Sequence, residues 1–179
     1  ELPSQWFEHW LESEEILKKF TCHYETKNNI PPKLLKNVIL SRTFNSGFDT
    51  TEFLASAIMD IKLHSEKPNS NPIKLEKTYL DKIGLTKAIY PRHNLAQFQH
   101  IFSGGGYASA YYSYMWSEMM DEDAYSAFVE TGNIFDKVTA KSFEKNILSK
   151  GGLKEPEILY KAFRKKLPDP KILIKSRNL

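Results

Sequence analysis

Proline openings and glycine endings cut this chain into helix-length pieces, and that punctuation constrains the fold more than any other feature of the sequence. Proline suits the first turn of a helix, where its missing N–H costs nothing, and glycine suits the left-handed residue just past the last turn. Pro3 stands ahead of a helix over residues 4–11. Ser13 caps a short one over residues 14–20, with Glu14 and Glu15 in its first turn. Pro31 and Pro32 open a third, whose apolar positions Leu34, Leu35, Val38 and Ile39 keep helical spacing. Phe44-Asn45-Ser46-Gly47-Phe48 reads as a turn. Asp49 and Glu52 then make a capping box for a long helix reaching His64, with Phe53, Leu54, Ile58 and Ile61 along it.

The second half follows the same grammar. A polar loop over residues 67–72 leads to a helix over residues 73–83, closed by Gly84. Residues 85–102 are irregular and hold Pro91, with room for short extended segments. Ser103-Gly104-Gly105-Gly106 is the most flexible point of the chain. A long helix is expected from Tyr107 to Thr131, stopped by Gly132, and another over residues 137–150 before Gly151-Gly152. One more, over residues 155–165, and a short basic helix complete the chain. The fold class is all-α.

Composition removes several functions. Hydrophobic residues at 41% and charged residues at 26% are ordinary for a soluble globular chain of 179 residues. A net charge of +3 without one basic face argues against nucleic acid as a partner, and the densest basic run, residues 164–177, is broken by Pro168 and Pro170. No apolar stretch approaches the roughly 20 residues that span a bilayer, so no membrane partner is expected. The single cysteine, Cys22, rules out an intrachain disulfide framework and reads as a small buried hydrophobe. The start at Glu1, with no initiator Met, resembles mid-protein sequence and carries no compartment signal.

The chemistry-bearing stretch runs from His100 through the three glycines to Tyr114. At about 100° per residue, a helix starting at Tyr107 would bring Tyr107, Tyr111 and Tyr114 within about 60° of one another, with Tyr112 pointing elsewhere. Phenol O–H and imidazole N–H groups are suitable donors to an oxyanion formed during acyl transfer. A loop of Gly104, Gly105 and Gly106 lets an extended peptide approach the backbone closely. The plainer reading is a stripe of half-buried core tyrosines after a hinge. A phosphate-binding reading of the loop fares worse, because no Lys-Ser/Thr follows the glycines. His9, beside Glu8 and Glu12, reads as a surface or packing histidine, and no His-Glu-x-x-His pair occurs in the 179 residues. Read alone, the chain holds no complete active site.

These residues resemble the thimet oligopeptidase and peptidyl-dipeptidase family of zinc metallopeptidases. The likeness is carried in order by Glu1-Leu2-Pro3-Ser4-Gln5, by Phe44-Asn45-Ser46-Gly47-Phe48 with Thr50-Thr51-Glu52, and by His100-Ile101-Phe102 with its glycine loop. It continues through Tyr107, Tyr111-Tyr112-Ser113-Tyr114 and Trp116, Ile147-Leu148-Ser149-Lys150-Gly151-Gly152, and Arg177-Asn178-Leu179. The second of these looks most like the bacterial peptidyl-dipeptidase branch.

The resemblance implies that residues 1–179 are the C-terminal part of a larger helical catalytic domain, with the zinc-binding His-Glu-x-x-His helix upstream. It implies Glu1 as the third zinc ligand, His100 and Tyr114 as donors to the oxyanion, and Tyr107, Tyr111, Gly104, Gly105 and Gly106 as substrate contacts. The implied cofactor is one zinc ion per complete enzyme, not held by this chain alone, which by itself would be inactive. The implied partners are short peptides and the upstream part of the same protein, and the expected compartment is the cytoplasm. A helical domain that binds peptides without cleaving them is the alternative. A piece cut from a larger domain is also expected to self-associate through apolar surface the rest would cover. Some positions depart from the family pattern. The interval from His100 to Tyr107 is one residue longer, Ala110 stands for a usual Gly, Lys165-Lys166-Leu167 for Gly-Arg-Glu, and Asn178 for Gly.

Overall fold

The computed structural model describes residues 1–67 and 71–179, so positions 68–70 of the polar loop read over residues 67–72 lie outside the described residues. Among those described, nine α-helices form: α1 Leu2–Glu12, α2 Glu14–Phe20, α3 Pro32–Ser41, α4 Ser46–Ser65, α5 Pro72–Lys82, α6 Ser113–Val129, α7 Lys137–Phe143, α8 Pro156–Arg164 and α9 Lys171–Ser176. No strand forms among the described residues. An isolated antiparallel bridge joins Cys22 and Asn29 in the turn between α2 and α3. The all-α expectation holds. Cys22 departs from its expectation: the bridge engages only its backbone and leaves the side chain exposed.

Two compact units divide the chain. One combines Glu1–Phe44 with Trp116–Leu179, and the other is Asn45–Met115. In the first, α1 presents Trp6 to a core of Ala124, Phe128, Phe143, Tyr160 and Phe163. Trp6 stacks on Phe143 at 4.1 Å between ring centroids, and Trp10, one turn further along α1, meets it edge-on at 4.4 Å. Burying each such ring stabilises the fold by roughly 1.5–3 kcal/mol. Asp123 of α6 is buried and accepts Tyr160 Oη at 2.8 Å, while Arg164 bonds both its oxygens, at 2.9 and 3.1 Å. Burial would raise this carboxyl, but the Arg164 and Tyr160 bonds hold it below its ordinary range.

The second unit is built on α4, which buries Phe53, Ala57 and Asp60 along one stripe. Phe53 and Ala57 pack with Phe98, Ile101 and Tyr111. Leu54 and Ile61, apolar positions of the same helix, are each 40% exposed. The helix starts earlier than its sequence suggests. It begins at Ser46, behind an Asn45 held at φ +59°, so the expected capping box of Asp49 and Glu52 falls inside the first two turns and no such box forms. Glu52 instead pairs with Arg92 at 3.3 Å.

Two further segments differ from expectation. Residues 85–102 contain no extended strand; they form two short 3-10 turns, Leu95–Gln97 and Gln99–Phe102. The helix expected over residues 137–150 is α7 followed by one wider π turn, Glu144–Leu148, before Gly151 at φ +48°. Large apolar side chains also remain open to solvent. Phe7, Leu11, Phe20, Tyr24, Phe44 and Ile73 are each more than half exposed.

The helix α8 ends on Lys165 at φ +66°, a left-handed position that glycine would occupy without strain. Part of the cost is offset locally, because Lys165 Nζ donates to the Ala162 carbonyl at 2.8 Å. Lys165→Gly is therefore expected to stabilise the fold by about 1 kcal/mol, the low end of the left-handed penalty. Urea unfolding of the pair of proteins checks it, and an unchanged midpoint would show that the strain is already relieved.

Candidate active site

The residues singled out around the glycine loop lie in the second unit, and Glu1 lies in the first. The expected helix from Tyr107 does not form. Residues 103–112 run as successive turns, with Tyr107 N–H donating to Gly104 O at 3.1 Å and Ala110 N–H to Tyr107 O at 3.3 Å, and α6 begins only at Ser113. Ser109 at φ +58° interrupts any helical path. The three tyrosines therefore do not form one stripe of one helix. The turns nevertheless gather all three around His100. Its ring lies 5.0 Å from that of Tyr107, 5.6 Å from Tyr111 and 5.8 Å from Tyr114.

The closest polar contact among these groups joins Tyr114 Oη and His100 Nε2, 3.3 Å apart. Both side chains are half-buried, so their polar ends are held by packing yet not sealed from a ligand. Two donor atoms at that separation can both reach one acceptor oxygen at ordinary hydrogen-bond length. Tyr107 is 47% exposed and forms the open flank. Tyr111 is only 6% exposed; it stacks on Phe53 at 5.0 Å, and its hydroxyl bonds Arg92. Burial raises that phenol above its ordinary value, which keeps it neutral.

Gly104, Gly105 and Gly106 are exposed, and a Cβ built on any of them would meet no atom within 4 Å. Only Gly104, at φ +147°, needs glycine for its backbone. The loop thus borders open space rather than packed protein. Glu1 caps the start of α1 and is exposed, with Ser4 Oγ donating to its Oε2 at 3.3 Å and to its carbonyl at 2.8 Å.

His9 departs from the surface reading. It is 9% exposed, stacks on Tyr125 at 4.4 Å, and its Nε2 lies 2.8 Å from Asp121 Oδ1. A cleft of about 760 Å³, lined in part by Glu8, Glu118 and Arg177, opens beside this pair. Potential ligand atoms of His9, Asp121 and Glu122 lie within 4.8 Å of one another, and the His9–Asp121 bond already joins two of the three. The signal was in the sequence. Leu2, Trp6 and His9 recur at i, i+4 and i+7, which puts His9 on the buried stripe of α1.

Burial by itself would lower the His9 pKa, but the hydrogen bond to Asp121 and the charges of Glu122, Asp121 and Glu12 outweigh it and raise it. A histidine that binds its proton more tightly when folded adds stability that is complete below its unfolded value of about 6.5. That contribution is lost as pH climbs through the higher folded value. Melting temperature should accordingly fall as pH rises beyond about 6.5, and His9→Asn should flatten the slope. Parallel slopes for the two proteins would exclude His9 as its source.

Comparison with known proteins completes the picture. The Peptidase family M3 model matches residues 1–179. "Oligopeptidase A" of Escherichia coli (strain K12) is 37% identical over 171 residues, which is 94% of this chain and 25% of that protein. "Dipeptidyl carboxypeptidase" of the same organism is 32% identical over 184 residues, 100% of this chain and 27% of that protein. "Organellar oligopeptidase A, chloroplastic/mitochondrial" of Arabidopsis thaliana is 34% identical over 186 residues, 100% of this chain and 23% of that protein. The chain belongs to peptidase family M3. It spans about a quarter of the length of the curated relatives it matches. No helix among the described residues is long and apolar enough to cross a membrane.

Proposed function

We propose that this chain is the C-terminal part of a zinc-dependent peptidase that hydrolyses short peptides. The observation that carries the reading is the meeting of Tyr114 Oη and His100 Nε2 at 3.3 Å beside an exposed glycine loop. In this reading both groups donate to the carbonyl oxygen as it gains charge on becoming tetrahedral. Tyr107 flanks the bound peptide. Tyr111 forms the buried wall of the substrate contact, with its ring backing His100 and Tyr114. Gly104, Gly105 and Gly106 accept the extended backbone of the substrate, where side chains would stand in its way.

Glu1 fits the third ligand of a zinc held also by two imidazoles. It is an exposed carboxylate, Ser4 Oγ donates to one of its oxygens, and oxygen is a proper donor type for such a His₂Glu set. The two histidines would come from a His-Glu-x-x-His helix upstream, since these 179 residues contain none. When bound, the zinc supplies Lewis-acid polarisation and activation of water. The upstream part of the protein is accordingly a required partner. We assign the enzyme to the cytoplasm, in keeping with a relative named "Probable cytosolic oligopeptidase A" from Arabidopsis thaliana, 33% identical over 186 residues.

The test uses the complete protein and a quenched fluorescent peptide of about ten residues. Hydrolysis should stop on chelation and return when zinc is restored. Binding of the peptide with no hydrolysis at any zinc concentration would replace this reading with that of a peptide-binding domain.

A further inference from the structure

Asp60 is the most completely buried acidic side chain among the described residues, at 0% exposure, and it stands two helical turns past Phe53 on the inner stripe of α4. Its oxygens reach across to the segment after the glycine loop. Oδ1 accepts the Ser109 N–H at 3.0 Å, and Oδ2 accepts the Tyr111 N–H at 2.9 Å. His64 Nδ1 lies 2.8 Å from Oδ1 and 2.9 Å from the Asp60 carbonyl oxygen. The carbonyl oxygen only accepts, so Nδ1 carries the proton and donates to it. Two main-chain N–H groups thus converge on one carboxylate, with the His64 ring beside it.

The two backbone bonds fall where the segment needs outside help. The turns around them are closed by main-chain bonds from Tyr107, Ala110 and Ser113, whereas the Ser109 and Tyr111 amides go to Asp60. Ser109 is also held at φ +58°, a conformation a non-glycine residue leaves readily unless something restrains it. Two residues past the second bond, α6 begins, and Tyr114 stands on its first turn against His100.

We propose that Asp60 is the positioning residue for the oxyanion donors: by gripping the Ser109 and Tyr111 amides it fixes where Tyr114 meets His100. Asp60 touches no reacting atom and acts through the backbone. The inference rests on the peptidase reading and adds to it a residue outside the His100–Tyr114 stretch.

Asp60→Asn is the probing change, because it keeps volume and shape. Whichever way the amide lies, its NH₂ faces an N–H donor. In the complete peptidase it should lower kcat/KM by about 10²-fold, the cost of a displacement near 1 Å, with zinc content unchanged. The decisive comparison repeats it in a Tyr114→Phe background. There it should cost no more than about 2-fold, since the geometry it sets is no longer used. A full 10²-fold loss in that background would make the effects additive and overturn the proposal, leaving Asp60 a general stabiliser. Amide hydrogen exchange on the unmutated protein covers the case in which the variant fails to fold. Slow exchange at Ser109 and Tyr111, beside fast exchange at Gly105 and Gly106, supports the grip, and fast exchange at all four overturns it. An unmutated protein that hydrolyses no peptide would sink the peptidase reading itself, and this role with it, whatever the amides do.

Discussion

Tyr114→Phe in the complete enzyme lowers kcat by about 10²–10³-fold and moves KM little, if its hydroxyl acts as proposed. The substitution is narrow. It keeps the ring, and with it the 5.6 Å contact to Tyr111, so the loss isolates the single atom that meets His100 Nε2 at 3.3 Å. A peptide carbonyl in the ground state is a modest acceptor, whereas the oxyanion is a strong one, so the hydroxyl contributes where charge has developed. The factor corresponds to roughly 2.7–4 kcal/mol of transition-state stabilisation. Steady-state kinetics on one peptide separate the possibilities. A raised KM with constant kcat would make the hydroxyl a plain substrate contact, and unchanged kinetics would remove it from the mechanism.

Glu1→Gln should empty the metal site. The amide keeps the size of the side chain and Ser4 remains beside it, but the charge that would balance a divalent ion is gone. Loss of a group that merely supports a ligand weakens metal binding by about 10–100-fold, and loss of a ligand should exceed that. Zinc per protein molecule, measured after dialysis against buffer with a weak chelator, should fall from one to well below one, along with activity. Full zinc occupancy in the variant would remove Glu1 from the ligand set, whatever became of the rate.

Much of the fold was legible because helices announce their ends locally. Pro32, Pro72 and Pro156 each stand in the first turn of a helix, and Gly84, Gly132 and Gly151 take left-handed conformations after α5, α6 and α7. The illegible parts are those decided by distant partners. Nothing near Tyr107 says that residues 107–112 will leave the helical path; the reason is a carboxylate about fifty residues earlier that takes the Ser109 and Tyr111 amides. Asp60 itself hides among the apolar positions of α4, since a charge on a buried stripe looks like a break in the pattern until its two amide donors are seen. The buried stripe that holds His9 was legible in α1, but its partner Asp121, 112 residues away, was not. The candidate chemistry was more legible than the geometry that assembles it. His100 and Tyr114 do meet, but through turns rather than along one helix face.

The grip on main-chain amides has an evolutionary consequence. Asp60 reads no side chain in the segment it holds, so the mount and what is mounted on it can change independently. Tyr112 is 48% exposed and makes no part of the anchoring. Ser109 need only be a residue that accepts a left-handed backbone, a condition Asn, Asp or Gly meets at least as well. A protein arranged this way can vary the surface it offers to its ligands by single substitutions while the chassis beneath stays fixed.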